Sequence, residues 1–407
     1  EGVIFRTLWN TDKTLLVSVS DDRSVRLWDM KEDTDTYTND SDRQLFVGWG
    51  HVSRVWDVCF LHEKDSLGYL TLATCSEDAT IKIWKARVSN SVDVDLSTHK
   101  DGGFCVHTLR GHQSDVWRVL PVLGSDQTQL LLSCGNDSAI KVWDVSSWAD
   151  SEYHKCLRRR AAIPSWPVDK DIDTEKDISI NSAKKQSKAR ERGVAGVSCS
   201  PCAAYLVVAL IEGGLWMVKN ILGEAEGEEW IWSSVWSSNV KISHMSTNFV
   251  SCATDTNNIH PSCIQTQKQV LIALAHPRGL ASCVLLSLDT CKVEYERQWA
   301  AHDLNTVSVW LLNFANTMTN VNFDLRLITT SVKGKCKMWR VYENDNHNHS
   351  SNVSMDMIFD GVTGGRMHEV VTSVAVLRDN TNDGTSKEIL VAGDIRGSVS
   401  IWSLGLD

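Results

Sequence analysis

Several features that mark common protein classes are absent from this 407-residue sequence. No run of 18 or more apolar residues occurs, so no segment is a candidate membrane span. The first residues lack the basic and then apolar pattern of a secretory leader. P-loop, G-x-G-x-x-G and G-x-S-x-G motifs are all missing, which removes the usual signatures of nucleotide binding and of α/β-hydrolase chemistry. Proline is scarce, with 6 residues.

Net charge and the distribution of cysteines further limit the classes of protein to which this chain could belong. The formal net charge of −10 argues against a surface that attracts nucleic acid uniformly. The 12 cysteines stand singly among apolar residues, which is typical of reduced, buried thiols and predicts a cytosolic or nuclear protein, here taken as cytoplasmic. The chain begins at Glu1, without Met and within a strand-like segment, so we expect a fragment of a longer protein.

Tryptophan is abundant, with 17 residues, and it marks an internal repeat. The segments LLVSVSDDRSVRLWDM (15–30), LTLATCSEDATIKIWKA (70–86) and LLLSCGNDSAIKVWDV (130–145) each predict a strand, a tight turn and a second strand that ends in Trp. A Gly-His dipeptide precedes the second and third copies. The residues that recur in register are Ser18, Asp22 and Trp28; His51, Thr74, Asp78 and Trp84; and His112, Ser133, Asp137 and Trp143.

The third copy contains the residue types of a hydrolase triad in His112, Ser133 and Asp137. A catalytic triad occurs once and requires an exposed nucleophile and an oxyanion hole. Here the set recurs in register with a Trp, and Thr74 replaces Ser in the second copy. We therefore interpret it as a buried polar network in which the turn Asp binds His, His binds Ser or Thr, and that hydroxyl binds the Trp indole. No catalytic, cofactor-binding or metal-binding residue is predicted.

These residues resemble the WD-repeat family, whose members carry one such set in each propeller blade. The resemblance implies an all-β WD-repeat β-propeller with about seven four-stranded blades. The weaker copies contain His302, Thr329 and Trp339 with Lys333 at the turn; His368 and Trp402 with Ala392 and Arg396; a copy with Val218 in place of Trp; and a last copy at 236–288.

The quality of the copies suggests a domain organisation. Residues 1–147 hold three well-formed blades, and 193–407 hold about four degenerate ones. Residues 148–192 lack β periodicity and read as a charged connector or insertion. Two layouts remain open: the end of one propeller followed by the start of a second, or one seven-bladed ring with an insertion.

The connector carries the only dense basic groups in an acidic chain. It predicts either a segment that contacts phosphate or a partner, or a solvated flexible linker. Arg54, near the start of a predicted first strand, is a further candidate partner contact. The basic candidates in the connector are Arg158, Arg159, Arg160, Lys184, Lys185, Lys188, Arg190 and Arg192.

Two further patterns have alternative interpretations. Phe5, Trp56 and Trp117 occupy one position on the first strand of three successive copies, which predicts packing between blades or a stacking platform for bases. Cys199 and Cys202 form a C-x-x-C pair, but no second pair completes a zinc site and no βαβ pattern supports a redox motif. A hairpin turn is the favoured interpretation of that pair.

Within the WD-repeat proteins, the order of good and degenerate copies resembles one subgroup. It is similar to the multi-propeller WD-repeat subunit that partners the tRNA ribose 2′-O-methyltransferase acting on the anticodon-loop wobble nucleotide. The resemblance implies a non-catalytic role: the partner supplies the methyl-transfer site and its cofactor, and this chain helps to position tRNA. The alternative is a general protein–protein scaffold in trafficking, signalling or ubiquitin ligation, with no RNA role.

Overall fold

The computed structural model is all-β and consists of antiparallel sheets formed from consecutive strands. This confirms the predicted fold class of WD-type propeller blades. Seven sheets are present among the described residues, five with four strands and two with three. The structure describes residues 2–30, 43–62, 65, 68–88, 102–123, 129–137, 139–145, 194–200, 204–219, 232–251, 267–313, 324–343, 353–362, 371–380, 386–394 and 399–405.

The sheets, numbered as blades 1 to 7 in chain order, group into two compact units. Blades 1, 2, 3 and 7 belong to the first unit, and blades 4, 5 and 6 to the second. The division predicted from the sequence differs, because its range 193–407 groups blade 7 with blades 4 to 6. The choice between one propeller and parts of two stays a prediction, and the 148–192 connector lies outside the described residues.

The first unit has fourteen strands among its described residues. Blade 1 is β1–β4, blade 2 is β5–β8, blade 3 is β9–β11 and blade 7 is β24–β26. Their bounds are β1 Ile4–Trp9, β2 Leu15–Ser20, β3 Ser24–Asp29, β4 Gln44–Trp49, β5 Val55–His62, β6 Tyr69–Ser76, β7 Thr80–Arg87, β8 Gly103–Arg110, β9 Val116–Leu123, β10 Gln129–Gly135, β11 Ile140–Asp144, β24 Val371–Asn380, β25 Ser386–Asp394 and β26 Val399–Gly405.

The second unit has three four-stranded blades. Blade 4 is β12–β15, blade 5 is β16–β19 and blade 6 is β20–β23. Their bounds are β12 Val194–Cys199, β13 Tyr205–Leu210, β14 Gly214–Lys219, β15 Trp232–Ser237, β16 His244–Ser251, β17 Gln267–Ala275, β18 Leu280–Ser287, β19 Lys292–Ala300, β20 Thr306–Asn313, β21 Asp324–Ser331, β22 Lys335–Glu343 and β23 Val353–Val362. The predicted weak copy at 236–288 therefore begins and ends later, as blade 5.

The hydrophobic core lies between neighbouring blades rather than within one sheet. Leu27 of blade 1 and Leu72 and Trp84 of blade 2 belong to one buried cluster. A second cluster joins blades 2 and 3 through Ile83, Leu131 and others. Because both faces of a middle strand meet an adjacent blade, these strands are near-continuous apolar runs, as in LLLSC of β10. Burial of this apolar surface is the main stabilising contribution to each blade pair.

A β-bulge lies near the start of the first strand in six of the seven blades. In blade 2, Val55 pairs with Ser76 and Asp57 with Cys75, so Trp56 has no partner on β6. A bulge of this kind re-aims the extra side chain and increases the local twist. The bulged residues of blades 1, 2, 3, 4, 6 and 7 are Phe5, Trp56, Trp117, Ala195, Val307 and Thr372.

Candidate functional site

The polar residues of blade 2 form one continuous hydrogen-bonded network. His51 Nδ1 lies 2.9 Å from Asp78 Oδ2, and its Nε2 lies 2.9 Å from Thr74 Oγ1. The indole N–H of Trp84 donates to the same Thr74 oxygen at 2.8 Å. The strand pairing positions these groups, because Thr74 on β6 and Trp84 on β7 are near neighbours across one antiparallel ladder.

The donors and acceptors of this network run in one direction. The Asp78 carboxylate only accepts, so His51 carries its proton on Nδ1 and its Nε2 accepts from the Thr74 hydroxyl. That hydroxyl oxygen in turn accepts from Trp84, which only donates. Burial would raise the pKa of Asp78, but hydrogen bonds from His51, Thr80 and the Val52 N–H lower it well below its usual range. Every polar group in the network has a partner.

Blade 3 repeats the arrangement. His112 Nδ1 lies 2.9 Å from Asp137 Oδ2, His112 Nε2 lies 2.8 Å from Ser133 Oγ, and Trp143 donates to that oxygen at 2.8 Å. Ser133 is 0% exposed. An oxygen with no access to solvent, held between an indole and an imidazole, has no room for a substrate. The geometry is that of a structural network and not of a nucleophile with its base.

Blade 1 contains the hydroxyl, tryptophan and turn Asp. The Trp28 indole donates to Ser18 Oγ at 3.0 Å. Asp22 accepts from the Ser24 hydroxyl at 2.6 Å and pairs with Arg26 at 3.2 Å. Asp22 therefore closes the turn between β2 and β3 through local contacts.

Blades 5 and 6 hold altered networks. In blade 6, His302 Nε2 lies 3.0 Å from Thr329 Oγ1 and Trp339 donates to that oxygen at 3.1 Å, but Lys333 occupies the turn. In blade 5, His276 contacts Lys241 O at 2.9 Å and Ser282 Oγ at 2.8 Å. The sequence analysis did not predict the blade 5 network. The only pattern in the sequence that indicates it is a His six residues before a Ser.

The loops at one end of blades 1 to 3 form a set of rim positions. The same backbone hydrogen bond occurs in each of these blades. The N–H of the residue just before the turn Asp donates to the carbonyl of the residue two positions before the bulge. The three bonds are Asp21 N–H to Val3 O at 2.8 Å, Glu77 N–H to Arg54 O at 3.0 Å and Asn136 N–H to Asp115 O at 2.8 Å. Each bond holds two loop residues together near the bulge, and we call these six residues and the three bulged ones the rim.

The rings of the three bulged residues of the rim contact one another in tilted orientations. The ring of Phe5 lies 4.4 Å from that of Trp56, and Trp56 lies 4.8 Å from Trp117, centroid to centroid. All three side chains are partly exposed. The predicted position on successive blades thus becomes a row of rings, here called the aromatic row. Contacts of this kind stabilise by about 0.5–1.5 kcal/mol beyond area burial.

A buried charge cluster fixes the strands that carry the aromatic row. Arg6, Asp57 and Arg118 each directly follow a bulged ring. Asp57 is 2% exposed, and its oxygens lie 3.4 Å from Arg6 Nε and 3.7 Å from Arg118 Nη1. Asp57 also accepts from the Val119 N–H at 3.2 Å. Burial, followed by the charge of Arg118, lowers the pKa of Arg6. One carboxylate therefore joins the first strands of three blades.

The outer part of the rim is charged and exposed. Arg54, a predicted contact residue, is 51% exposed and lies 2.7 Å from Asp21 and 4.0 Å from Glu77. Shortly before Arg54 in the sequence, Trp49 is 59% exposed and Val52 is 77% exposed. Exposed apolar side chains beside a charged rim are typical of a protein-binding surface.

The basic candidates at 158–160 and 184–192 lie outside the described residues. Within the described ranges, no group of three or more His, Cys, Asp or Glu side chains could hold a metal ion. Cys199 ends β12, and Cys202 falls in an undescribed stretch. No helix in the part of the chain that the structure covers is long and apolar enough to cross a bilayer.

Comparison with known proteins assigns a class to the first three blades. The family model described as WD domain, G-beta repeat, matches residues 2–29, 43–85 and 103–144. The three matched segments correspond to blades 1, 2 and 3, which agrees with the resemblance seen in the sequence. The fold is similar to that of Saccharomyces cerevisiae Sqt1, with a TM-score of 0.56, 12% identity, and coverage of 99% of this chain and 84% of that one.

Curated relatives are similar to this chain over shorter stretches. Nuclear distribution protein PAC1 of Arthroderma benhamiae is 35% identical over 136 residues, 32% of this chain and 24% of its own length. Nuclear distribution protein nudF of Aspergillus niger is 33% identical over 134 residues, 33% and 24% of the two chains. This chain thus spans about a quarter of those relatives. A WD repeat-containing protein of Schizosaccharomyces pombe is 25% identical over 207 residues, 51% and 45% of the two chains.

Proposed function

We propose that this chain is a non-catalytic WD-repeat scaffold that binds a protein partner through the rim of blades 1 to 3. The observation that carries the proposal is the aromatic row, with Phe5, Trp56 and Trp117 partly exposed on three neighbouring bulges. Aromatic side chains are enriched at the centres of protein interfaces. The hydroxyl groups that resemble a catalytic set are buried and engaged, so they serve the fold.

Other blades of the chain support a functional origin for the aromatic row. The bulge is also present in blades 4, 6 and 7, where Ala195, Val307 and Thr372 occupy it. A blade therefore forms its bulge without an aromatic side chain. In blade 6 the loop residues equivalent to Arg54 and Glu77 are Asn305 and Val332, which share the same backbone hydrogen bond and carry no charge. The aromatic rings and charged side chains are therefore concentrated at the rim of blades 1 to 3, at positions where the fold does not require them.

A narrower function is that of a subunit supporting tRNA wobble-nucleotide 2′-O-ribose methylation. The order of well-formed and degenerate repeats supports it. In this role the rim would hold the methyltransferase, and the connector at 148–192 would contact tRNA. A cytoplasmic location belongs to the same proposal, since none of the eight cysteines within the described ranges forms a disulfide.

The test uses the full-length protein, tagged and expressed in cells that lack the untagged copy. Stable partners are identified by mass spectrometry for the wild type and for the double variant Trp56→Leu and Trp117→Leu. Ile358→Ala, which alters an exposed apolar residue on β23 in blade 6, is the matched control. Wobble 2′-O-methylation of tRNA is measured in parallel.

A partner that the double variant loses and the control retains establishes the scaffold role of the rim. If that partner is a ribose methyltransferase and the methyl group disappears with it, the narrower function holds. A different partner with intact tRNA methylation leaves the general scaffold and excludes the tRNA role. Partners that are unchanged in a folded double variant overturn the rim as the binding surface.

A further inference from the structure

We propose that the occupant of the rim is an arginine-bearing segment of a protein, whose guanidinium stacks on the Trp117 end of the aromatic row beside the Asp115 carboxylate. This inference rests on the proposed function and names the chemistry of the partner. Three kinds of observation lead to it: the charge of the rim, the pairing state of its members and the ring chemistry of the row.

The rim has an excess of carboxylates. Its charged members are Asp21, Arg54, Glu77 and Asp115, three anions and one cation, in a chain whose formal net charge is −10. The turn residues Asp78 and Asp137 lie next to Glu77 and Asn136 in the sequence, and hydrogen bonds lower the pKa of both carboxyls. Both are therefore ionised at neutral pH and add negative potential at the same end of the blades. Such a surface attracts cations.

The carboxylates of the rim differ in their pairing. Asp21 and Glu77 lie close to Arg54, and Glu77 also accepts from the Ser53 hydroxyl. The Asp115 carboxylate, which is partly exposed, has no ion-pair partner among the described residues. Its backbone carbonyl is engaged by Asn136, so the main chain that carries it is fixed. Asp115 is therefore the rim carboxylate available to an incoming cation.

Trp117, two residues after Asp115, carries a ring that favours contact with a cation. Trp117 ends the aromatic row, so one ring neighbour, Trp56, is present at 4.8 Å. Among the aromatic side chains, indole presents the most favourable face for a cation. Arginine meets both groups better than lysine does, because its planar guanidinium stacks on an aromatic face and binds a carboxylate through two N–H groups at once.

A single-stranded RNA is the other occupant that an aromatic row accepts, through stacking of its bases. The charges of the rim oppose it. Nucleic-acid binding depends on cations that neutralise phosphates, and the only cation among the rim positions, Arg54, is already paired with Asp21. The observations favour the basic protein segment.

The test measures binding of labelled probes to the whole chain by fluorescence anisotropy. The probes are a peptide in which arginines alternate with Gly-Ser pairs, the same peptide with citrulline in place of arginine, and an oligouridine RNA. Citrulline keeps the shape and most of the hydrogen-bond donors of arginine and loses its charge. The variants are Asp115→Asn and Trp117→Leu. Their controls are Glu296→Gln, which removes one exposed carboxylate on β19, and Ile358→Ala.

The arginine peptide is expected to bind at least about tenfold more tightly than the citrulline peptide, which corresponds to about 1.4 kcal/mol. Asp115→Asn and Trp117→Leu should each weaken the arginine peptide severalfold, and both controls should leave it unchanged. Equal weakening by Glu296→Gln would mean that the peptide responds only to net charge, and this would overturn the site. Tighter binding of the RNA that is lost in Trp117→Leu would overturn the basic partner.

Asp115→Asn keeps the backbone contact and nearly the same side-chain shape, so it tests the site even if Trp117→Leu does not fold. Failure of this inference is distinguishable from failure of the proposed function. If the double variant Trp56→Leu and Trp117→Leu loses its cellular partner but the arginine peptide does not bind, the scaffold role of the rim stands and the cationic occupant is wrong.

Discussion

His302 Nε2 lies 3.0 Å from Thr329 Oγ1, within hydrogen-bond distance. The other ring nitrogen of His302, Nδ1, is buried and has no hydrogen-bond partner among the described residues. In blade 2 the equivalent nitrogen of His51 meets the turn carboxylate of Asp78. The blade 6 turn presents Lys333 at that position, and its N–H contacts Ser331 Oγ much as the N–H of Asp78 contacts Ser76. The two turns are therefore equivalent in backbone geometry, but blade 6 lacks the carboxylate that accepts from the histidine in blade 2.

Lys333→Asp is therefore expected to stabilise the protein. The new carboxylate would accept from His302 Nδ1, and a buried nitrogen that gains a charged partner should raise the free energy of unfolding by about 1–2 kcal/mol. Denaturant unfolding of wild type and variant measures this. Lys333→Ala, which removes the lysine without supplying an acceptor, should show no such gain. Equal stabilities of the Asp and Ala variants would contradict the prediction.

His302 should also make stability depend on pH. Burial and then the charge of Lys337 lower its pKa from 6.5 to about 4. The unfolded chain therefore takes up the proton first, so the free energy of unfolding is full above pH 6.5 and falls as the pH drops toward 4. Between pH 7.5 and pH 5 the loss from this residue is about 2 kcal/mol. His302→Gln should lack that part of the decrease. A variant with the same pH dependence as wild type would refute the assignment.

Thr74→Val keeps the shape of the side chain but removes the hydroxyl at the centre of the blade 2 network. His51 Nε2 and the Trp84 indole N–H would then both lose their partner while remaining buried. The free energy of unfolding should drop by about 2–6 kcal/mol, since two polar groups are orphaned at a cost of about 1–3 kcal/mol each. Thr71→Val, on the same strand and partly exposed, is the matched control and should change stability by less than about 0.5 kcal/mol. Thermal unfolding of the two variants separates the outcomes.

Asp57→Asn removes the buried carboxylate between Arg6 and Arg118. The two guanidinium groups would then face each other without a counter-charge, and breaking a buried ion pair in this way costs about 3–5 kcal/mol. Asp360→Asn is the comparison, because Asp360 is 43% exposed and lies 3.7 Å from Lys337, a pair expected to contribute less than about 1 kcal/mol. Similar stabilities of the two variants in denaturant unfolding would show that the cluster does not join the blades energetically.

The sequence predicted the networks of the first blades because their members are fixed by strand pairing. Ser133 and Trp143 are ten residues apart across a tight turn, and an antiparallel hairpin of that length brings them together wherever it forms. Thr329 and Trp339 in blade 6 have the same ten-residue spacing and were predicted in the same way. Local spacing is sufficient when the partner lies in the same hairpin.

The sequence could not predict contacts that depend on how blades pack. The pair Arg54 and Asp21 joins two blades and spans 33 residues, so no spacing rule reveals it. The blade 5 network was missed because His276 follows its second strand instead of preceding its first, and because Gln298 rather than Trp contacts Ser282, at 3.3 Å. Neither residue stands at an offset that the good copies would suggest.

The bulges also bear on how such a chain can change over time. Because the residue at each bulge pairs with nothing on the next strand, substituting it leaves the hydrogen-bond ladder of the blade intact. The Phe, Trp, Ala, Val and Thr found at these positions show how broad the tolerated range is. A fold of repeated blades thus carries several sites where recognition can drift, be lost or be acquired independently.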